Sequence, residues 1–181
     1  VATAATAAGP GLPLAPPSTL TTRRLTGGTG ATVPASYRLP PVSKLPDSAR
    51  KILESAALAH LVTLNEDGSP QVTCVWVGLD GDEIVCGHVP RLRKIENIMR
   101  DPRVALSLEG AEIGDHGLKD YLVIYGTATI TEGGAPELLQ HLAHTYLGPD
   151  VDFPPMPNPS PGYITHIAVD RVAGAGPWAQ Q

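Results

Sequence analysis

The sequence predicts a mainly β protein with short helices, folded as an antiparallel barrel of about six strands. Segments of alternating or β-branched residues are separated by turn signals such as Asp80–Gly81, which is typical of hairpins. The helical segments are short, and hairpins or short helices join the strands. An antiparallel barrel is therefore favoured over a doubly wound parallel sheet.

Residues 1–45 differ in composition from the rest of the chain. They are mostly Ala, Pro, Gly, Thr and Ser and carry few large apolar side chains. Such a segment cannot bury enough apolar surface to offset the entropy lost on ordering it. We therefore expect a flexible N-terminal arm at 1–45 and one folded domain at 46–181. The arm is either a dispensable tail or a segment that docks on a partner subunit.

The first half of the predicted domain contains one helix and three strands. Asp47 or Ser48 is suited to cap a helix that runs to about Leu58. The turn "NEDGSP" contains Gly68, which tolerates a positive φ, and Asp80–Gly81 is a hairpin turn. The strands predicted in this half are "AHLVTL" at 59–64, "QVTCVWVGL" at 71–79 and "DEIVCGH" at 82–88.

The second half begins with a basic helix. Pro90 opens this helix and Asp101–Pro102 ends it, because proline disfavours helix in the residue before it. Gly126 interrupts a long strand and predicts a bend or bulge. Residues 109–120 are predicted to form a loop. The other predicted elements are strands at 103–110, 121–132 and 163–176 and a helix at 135–148.

Positive charge is concentrated in one short stretch of an acidic chain. Five of the thirteen Lys and Arg residues lie between Arg91 and Arg103, although the net charge is -5. The predicted helix places Arg91, Arg93 and Lys94 in its first turn, where the helix dipole disfavours cations. A bound phosphate removes this conflict, because it accepts hydrogen bonds from the free amides and the basic side chains. The alternative is a solvated basic face.

Composition disfavours several other classes of function. An acidic chain is a poor general binder of nucleic acid, and no apolar run approaches the ~20 residues that span a bilayer. No secretory leader is recognised, so we expect a cytoplasmic protein. Cys74 and Cys86 form neither a disulfide framework nor a zinc pattern and are expected to be small buried residues. No metal site is expected.

The stretch "HLVTLNEDGSPQVTCVWVGLDGDEIVCGHVPRLRKIENIMRDPRVAL", residues 60–106, resembles the flavin/deazaflavin split-barrel superfamily. That superfamily includes pyridoxamine-phosphate-oxidase-like proteins and the actinobacterial oxidoreductases that use coenzyme F420. The resemblance extends from about Leu45 to Trp178 and is specific as an ensemble of short motifs. It implies a split β-barrel fold and a homodimer whose cofactor lies in the groove between subunits.

The resemblance also implies which residues bind the cofactor. The segment matching Thr73 to Trp76 runs under the isoalloxazine or deazaflavin ring. His88 and the basic residues of the following helix match positions that hold the cofactor phosphate. Asn97 matches a polar helix position, where tying the helix to a strand is an equally good interpretation. The expected cofactor-binding set is Thr73, Cys74, Val75, Trp76, His88, Arg91, Arg93, Lys94 and Asn97.

Three departures from the vitamin oxidases of this superfamily affect the expected cofactor. Thr73 stands where the FMN-dependent enzymes usually carry Arg, "WVGL" lacks their Lys, and "DRVAGAGPW" lacks their Arg- and His-containing substrate motif. The resemblance therefore favours F420 over FMN, in an oxidoreductase that transfers hydride to a small organic acceptor. The alternatives are an FMN-dependent oxidase or reductase and a non-catalytic protein that binds a flavin, a deazaflavin or heme. No catalytic residue is assigned, because the cofactor supplies the hydride chemistry.

Overall fold

The computed structural model describes residues 45–114 and 117–179 of the 181-residue chain, so the predicted arm lies outside the described residues except for Leu45. Within these ranges one sheet is accompanied by short helices, and every strand pairing is antiparallel. The elements are α1 (Asp47–Leu53), β1 (Ala59–Leu64), β2 (Pro70–Val75), β3 (Gly78–Asp80), β4 (Glu83–His88), α2 (Arg93–Arg100), β5 (Arg103–Ile113), β6 (Lys119–Glu132), α3 (Ala135–Tyr146) and β7 (Tyr163–Ala175).

The sheet is curled into a barrel that does not close. Its strand order is β2-β1-β5-β6-β7-β4-β3, so β2 and β3 lie at opposite edges. Only Trp76 and Val77 separate these two strands along the chain, and the curled sheet therefore brings its edges together. No ladder joins the edges within the described residues, which leaves a slit between β2 and the β3–β4 hairpin. The predicted mainly β, antiparallel split barrel is confirmed.

The barrel interior is filled by one face of alternating strands. Leu61 on β1, Leu106 on β5 and Ile124 on β6 are direct cross-strand neighbours and are fully buried. Ile84 and Ile167 continue this core across β4 and β7. Since side chains alternate across a strand, this pairing leaves the residues between them on the outer face of the sheet.

Two helix boundaries differ from the prediction. Helix α1 ends at Leu53 rather than Leu58, because Ala56 adopts a left-handed backbone with φ of 62°. Its N-cap is Pro46, and no side chain caps it, so the predicted capping role of Asp47 or Ser48 is wrong. Helix α2 begins at Arg93 rather than Pro90, since Leu92 is extended with ψ of 157° and serves as the N-cap. Arg91 therefore precedes the helix.

The strand predicted at 71–79 divides into β2 and β3, which raises the strand count to seven. The division falls at Trp76, whose ring leaves the sheet to stack on Tyr146 with centroids 5.2 Å apart. The Tyr146 hydroxyl also accepts a hydrogen bond from the Val77 amide at 3.0 Å. A side chain about 70 positions away thus replaces ladder contacts at this point.

Most of the loop predicted at 109–120 is strand. Strand β5 runs to Ile113 and β6 starts at Lys119, with an irregular register between Glu109 and Ile113. The predicted bulge at Gly126 is confirmed, because the β6–β7 register shifts between Tyr125 and Gly126. A Cβ on Gly126 would lie 2.5 Å from the carbonyl oxygen of Ala168, so no larger residue fits without moving backbone.

Replacing Gly126 by alanine should lower the free energy of unfolding by about 1–3 kcal/mol through overpacking at the bulge. Urea denaturation measures this change. Gly110→Ala is the matched control, because its added Cβ meets the Asp120 carbonyl oxygen at the less severe distance of 3.3 Å. Equal losses in the two variants would contradict the close approach at Gly126.

Candidate functional site

A pocket of about 220 Å³ lies in the slit of the barrel. The end of β2 forms one side, the end of β4 forms the other, and the first turn of α2 reaches in between. Helix α3 and the 147–162 loop complete the walls. The residues that line the pocket are Leu58, Cys74, Val75, Trp76, Gly87, His88, Lys94, Leu139 and Phe153.

One wall of the pocket is aromatic. The Trp76 ring stacks on Tyr146 and also contacts the tilted ring of Phe153, whose centroid is 4.9 Å away. The Tyr146 hydroxyl lies 3.2 Å from the carbonyl oxygens of Ala57 and Val77. These contacts fix the orientation of the Trp76 ring and give the pocket a rigid apolar surface.

Lys94 is the one buried lysine among the described residues, with only 5% of its surface exposed. Its ammonium has no hydrogen-bond or ion-pair partner within 45–114 and 117–179. Burial lowers the pKa of Lys94, and the neighbouring thiols of Cys86 and Cys74 partly oppose that shift. A buried cation without a counter-ion is costly, so this position is suited to an anionic ligand.

His88 lies beside Lys94 at the end of β4 and is equally buried. Its Nε2 is 3.1 Å from the hydroxyl oxygen of Thr165. Burial lowers the pKa of His88 to about 3, and the Lys94 ammonium adds to the effect. The imidazole is therefore neutral at physiological pH, and it can offer a hydrogen bond to a ligand but no positive charge.

The two cysteines have different environments. Cys86 is buried, and desolvation raises its pKa to about 12, whereas Cys74 is exposed and lines the pocket. The expectation that both are buried is wrong for Cys74, because its side chain lies on the outer face of edge strand β2. The hydroxyl of neighbouring Thr73 is buried without a hydrogen-bond partner among the described residues.

Asn97 ties α2 to the first hairpin. Its side-chain NH2 lies within 3.1 Å of oxygens of Thr63 and Asn65 and 2.8 Å from Gln71 Oε1. Its own Oδ1 accepts a hydrogen bond from Arg100 at 2.9 Å. These contacts hold the helix that carries Lys94 against β1 and β2, so the structural interpretation of Asn97 accounts for all its polar atoms.

The basic residues around Lys94 lie on the surface. Arg91 is exposed and pairs with Glu96 at 3.5 Å. Arg93 borders a different, polar depression of about 520 Å³, which also contains Arg100 and acidic residues of the β1–β2 turn. The pocket in the slit therefore brings together Cys74, Val75, Trp76, His88 and Lys94 of the expected set, and not Thr73, Arg91, Arg93 or Asn97.

Several lining residues carry weak sequence signals. Leu139 reaches the pocket because Gly87 lets α3 approach, and a Cβ on Gly87 would lie 2.8 Å from Leu139 Cγ. A glycine inside a strand is a known sign of such an approach. Phe153 comes from the proline-rich 147–162 loop, where no helix or strand pattern marks it as a pocket residue. Leu58 has no local signal, because it follows the unexpected end of α1.

The sequence that builds this fold and pocket matches a known family. The family model for pyridoxamine 5'-phosphate oxidase matches residues 45–173, which is more than half of the chain. The chain belongs to this family. No curated protein gives a significant match.

Several solved structures share this fold. A protein described as an F420 reductase is 25% identical, with a TM-score of 0.58, covering 71% of this chain and 98% of that one. The conserved protein Rv2991 of Mycobacterium tuberculosis is 24% identical, with a TM-score of 0.54 and coverage of 74% and 89%. An FAD-binding protein of Mesorhizobium loti is 21% identical, with a TM-score of 0.50 and coverage of 68% and 88%.

The described part of the chain contains neither a metal-binding cluster nor a membrane-spanning helix. No cluster of three or more His, Cys, Asp or Glu residues there is placed to hold a metal ion. No helix in the same residues has the length and apolar character needed to cross a bilayer.

Replacing Asn97 by alanine should reduce the free energy of unfolding by about 1–3 kcal/mol, because the buried hydroxyl of Thr63 and the side-chain oxygen of Gln71 each lose a hydrogen-bond donor. Chemical denaturation measures the loss. Glu96→Ala on the same helix is the control and should change stability by less than ~0.5 kcal/mol, since Glu96 is exposed. A stable Asn97 variant would show that the network does not anchor α2.

The buried His88 should make stability depend on pH. Its folded-state pKa of about 3 lies below the unfolded value near 6.5, so between these values the unfolded chain binds an extra proton. Stability is therefore complete above pH 6.5 and falls as the pH drops, by ~2 kcal/mol between pH 7 and pH 5. Urea unfolding at the two pH values should show this loss in the wild type.

His88→Asn is the informative variant for that measurement, and His141→Asn on the exposed face of α3 is its control. The first should lose most of the pH dependence, and the second should retain it. If both variants behave like the wild type, a group other than His88 governs acid sensitivity in this range.

Proposed function

We propose that the chain is an oxidoreductase that binds a phosphate-bearing flavin-type coenzyme in the slit of the barrel. The favoured coenzyme is F420, and the reaction is hydride transfer to a small organic acceptor. The observation that carries this proposal is the buried ammonium of Lys94, which lines the pocket without an anionic partner among the described residues. A phosphate at this position supplies the missing counter-charge through charge-assisted hydrogen bonds.

The residues present fit such a coenzyme. Lys94 and neutral His88 both line the pocket and are suited to bind the phosphate. Arg91 and Arg93 line neither side of this pocket, so Lys94 is the cation assigned to the phosphate. The 220 Å³ pocket is smaller than the ~300–1,000 Å³ usual for complete ligand sites, so it suits one end of the coenzyme.

The ring system is assigned to the edge strand. β2 has a strand neighbour on one side only within the described residues, so its other backbone edge has amides and carbonyls free to bond a flat heterocycle. Exposed Cys74 and the Trp76 platform border that edge. When bound, the coenzyme supplies the hydride chemistry, and this chain's residues position it and exclude water from one face.

F420 is favoured over FMN on two grounds. Thr73 stands where an arginine would pair with the FMN phosphate in the family's vitamin oxidases, and the protein described as an F420 reductase is 25% identical over nearly its full length. FMN is the second candidate, because the family itself is defined by pyridoxamine 5'-phosphate oxidase. Titrating the purified protein with each coenzyme, read by ligand and tryptophan fluorescence, decides between them. Failure of both to bind would refute the proposal.

A homodimer is part of the proposal, and the outer face of the sheet supports it. Two cross-strand rows run over β2, β1, β5, β6 and β7 on this face. Arg171 is the one charged residue in these rows, and its guanidinium lies 3.7 Å from the Tyr125 ring centre. The rows are Cys74–His60–Ser107–Val123–Ala173 and Val72–Val62–Ala105–Tyr125–Arg171.

This face is suited to a second copy of the chain. A partly exposed sheet face with so little charge is typical of a surface that another protein covers. Cys74 belongs both to the face and to the pocket. A partner on the face would therefore cover the open side of the pocket and place the coenzyme between subunits.

Lys94→Met should weaken coenzyme binding by about 10- to 100-fold, because one charge-assisted contact contributes roughly 1.5–3 kcal/mol. Its stability should be unchanged or higher, since an unpaired buried charge is removed. Arg93→Met is the matched control and should have a smaller effect, because its side chain is exposed to screening water. Isothermal titration with the coenzyme measures both. Wild-type affinity in Lys94→Met would contradict the phosphate assignment.

Val72→Lys should convert the dimer to a monomer, because it places a charge in the proposed interface, at the β2 end of its second row, where the Val72 side chain is 58% exposed. Sedimentation velocity reports the change. Leu147→Lys is the control, since Leu147 is similarly exposed but lies beyond the end of α3. A wild-type sedimentation coefficient for Val72→Lys would move the interface elsewhere.

A further inference from the structure

A second, larger groove of about 880 Å³ adjoins the coenzyme pocket. It lies between the end of α1, the start of β1, the distal ends of β5 and β6, and the segment after β7. Leu58 lines both cavities and is 47% exposed, so the groove and the slit adjoin at this side chain. A ligand at the Leu58 end of the groove therefore lies next to the contents of the slit.

The floor of the groove is apolar and well ordered by packing. Ile52, Ala57 and Leu58 form one side, and Trp178 forms the other. The Trp178 ring is buried, packs against Gly176 and donates a hydrogen bond from its indole N–H to the Tyr121 carbonyl at 3.2 Å. The indole nitrogen is thus already hydrogen-bonded, and a ligand in the groove meets only the apolar part of the Trp178 ring.

Acidic residues outnumber basic residues at the rim of the groove. Glu109, Glu112 and Asp120 border the groove, against Lys51 and Lys119. Lys119 lies 3.7 Å from Glu109, so these two charges neutralise each other. Glu112 and Asp120 then stand against Lys51 alone, an excess of one carboxylate that disfavours an anion such as a phosphorylated substrate.

We propose that this groove is the acceptor-binding site of the oxidoreductase, and that it takes an uncharged, largely apolar molecule of several fused or linked rings. The proposal rests on the function proposed above and assigns it a substrate class. Its volume falls within the usual range for small-molecule sites, ~300–1,000 Å³, whereas the slit alone does not. The neighbouring position across Leu58 puts the acceptor beside the coenzyme.

The two tryptophans of the chain make this testable, because Trp76 lines the slit and Trp178 lines the groove. In Trp76→Phe, Trp178 is the remaining reporter. We would titrate this variant with 1-nitronaphthalene and with 5-nitronaphthalene-1-sulfonate, which share a quenching nitroaromatic ring and differ in charge. Saturable quenching by the uncharged probe, with at least tenfold weaker quenching by the sulfonate, is expected. Equal or absent quenching by the two probes would overturn the proposal.

A charge reversal at the rim provides the second measurement. Glu112→Lys in the same background should strengthen sulfonate binding at least threefold, while Glu137→Lys on exposed α3 should leave it unchanged. An identical response of the two variants would overturn the rim's role. Thermal melting of each variant verifies folding before titration.

Coenzyme titration of the wild type separates the two proposals. Coenzyme binding without quenching of Trp178 would overturn only the groove assignment. Quenching of Trp178 without binding of F420 or FMN would refute the proposed function and, with it, the acceptor role of the groove.

Discussion

The burial of an unpaired lysine is the constraint on which the site depends. Lys94 sits in the first turn of α2, where the helix dipole already disfavours a cation, and has no acidic partner within the described residues. Its neighbour His88 is neutral and cannot share the charge. The surrounding fold therefore holds this lysine in an electrostatically unfavourable position. The Asn97 contacts to the first hairpin and the fully buried Ile95 hold the helix there.

The location of the pocket follows from the strand order. β2 and β3 are consecutive in the chain but lie at opposite edges of the sheet. The curled sheet must leave an opening where these edges meet, and the link at Trp76 and Val77 marks its end. α2 leaves β4 just beside this opening, so its first turn faces the slit. Lys94 is thus carried to the opening by topology as well as by local sequence.

The sequence predicted the strands that depend on local alternation of residues. It did not predict element boundaries that are set by contacts between distant residues. The strands at 59–64 and 121–132 were predictable because inward and outward residues alternate and turn residues bound them. The break at Trp76 was not, because Tyr146 causes it from about 70 positions away. Pro90 suggested a helix start, but the extended backbone of Leu92 delays the helix by three residues. Lys94 was therefore named among three basic residues without being distinguished from the two exposed ones.

The absence of a ladder across the slit, within the described residues, has an evolutionary consequence. Backbone hydrogen bonds fix the distance between paired strands. The slit has no such bonds, and the side chains of Trp76, Tyr146 and Phe153 pack beside it instead. Substitutions at such positions can widen or narrow the opening without breaking a backbone bond elsewhere in the barrel. One scaffold can therefore carry openings of different width while the strand pairing of its barrel stays the same.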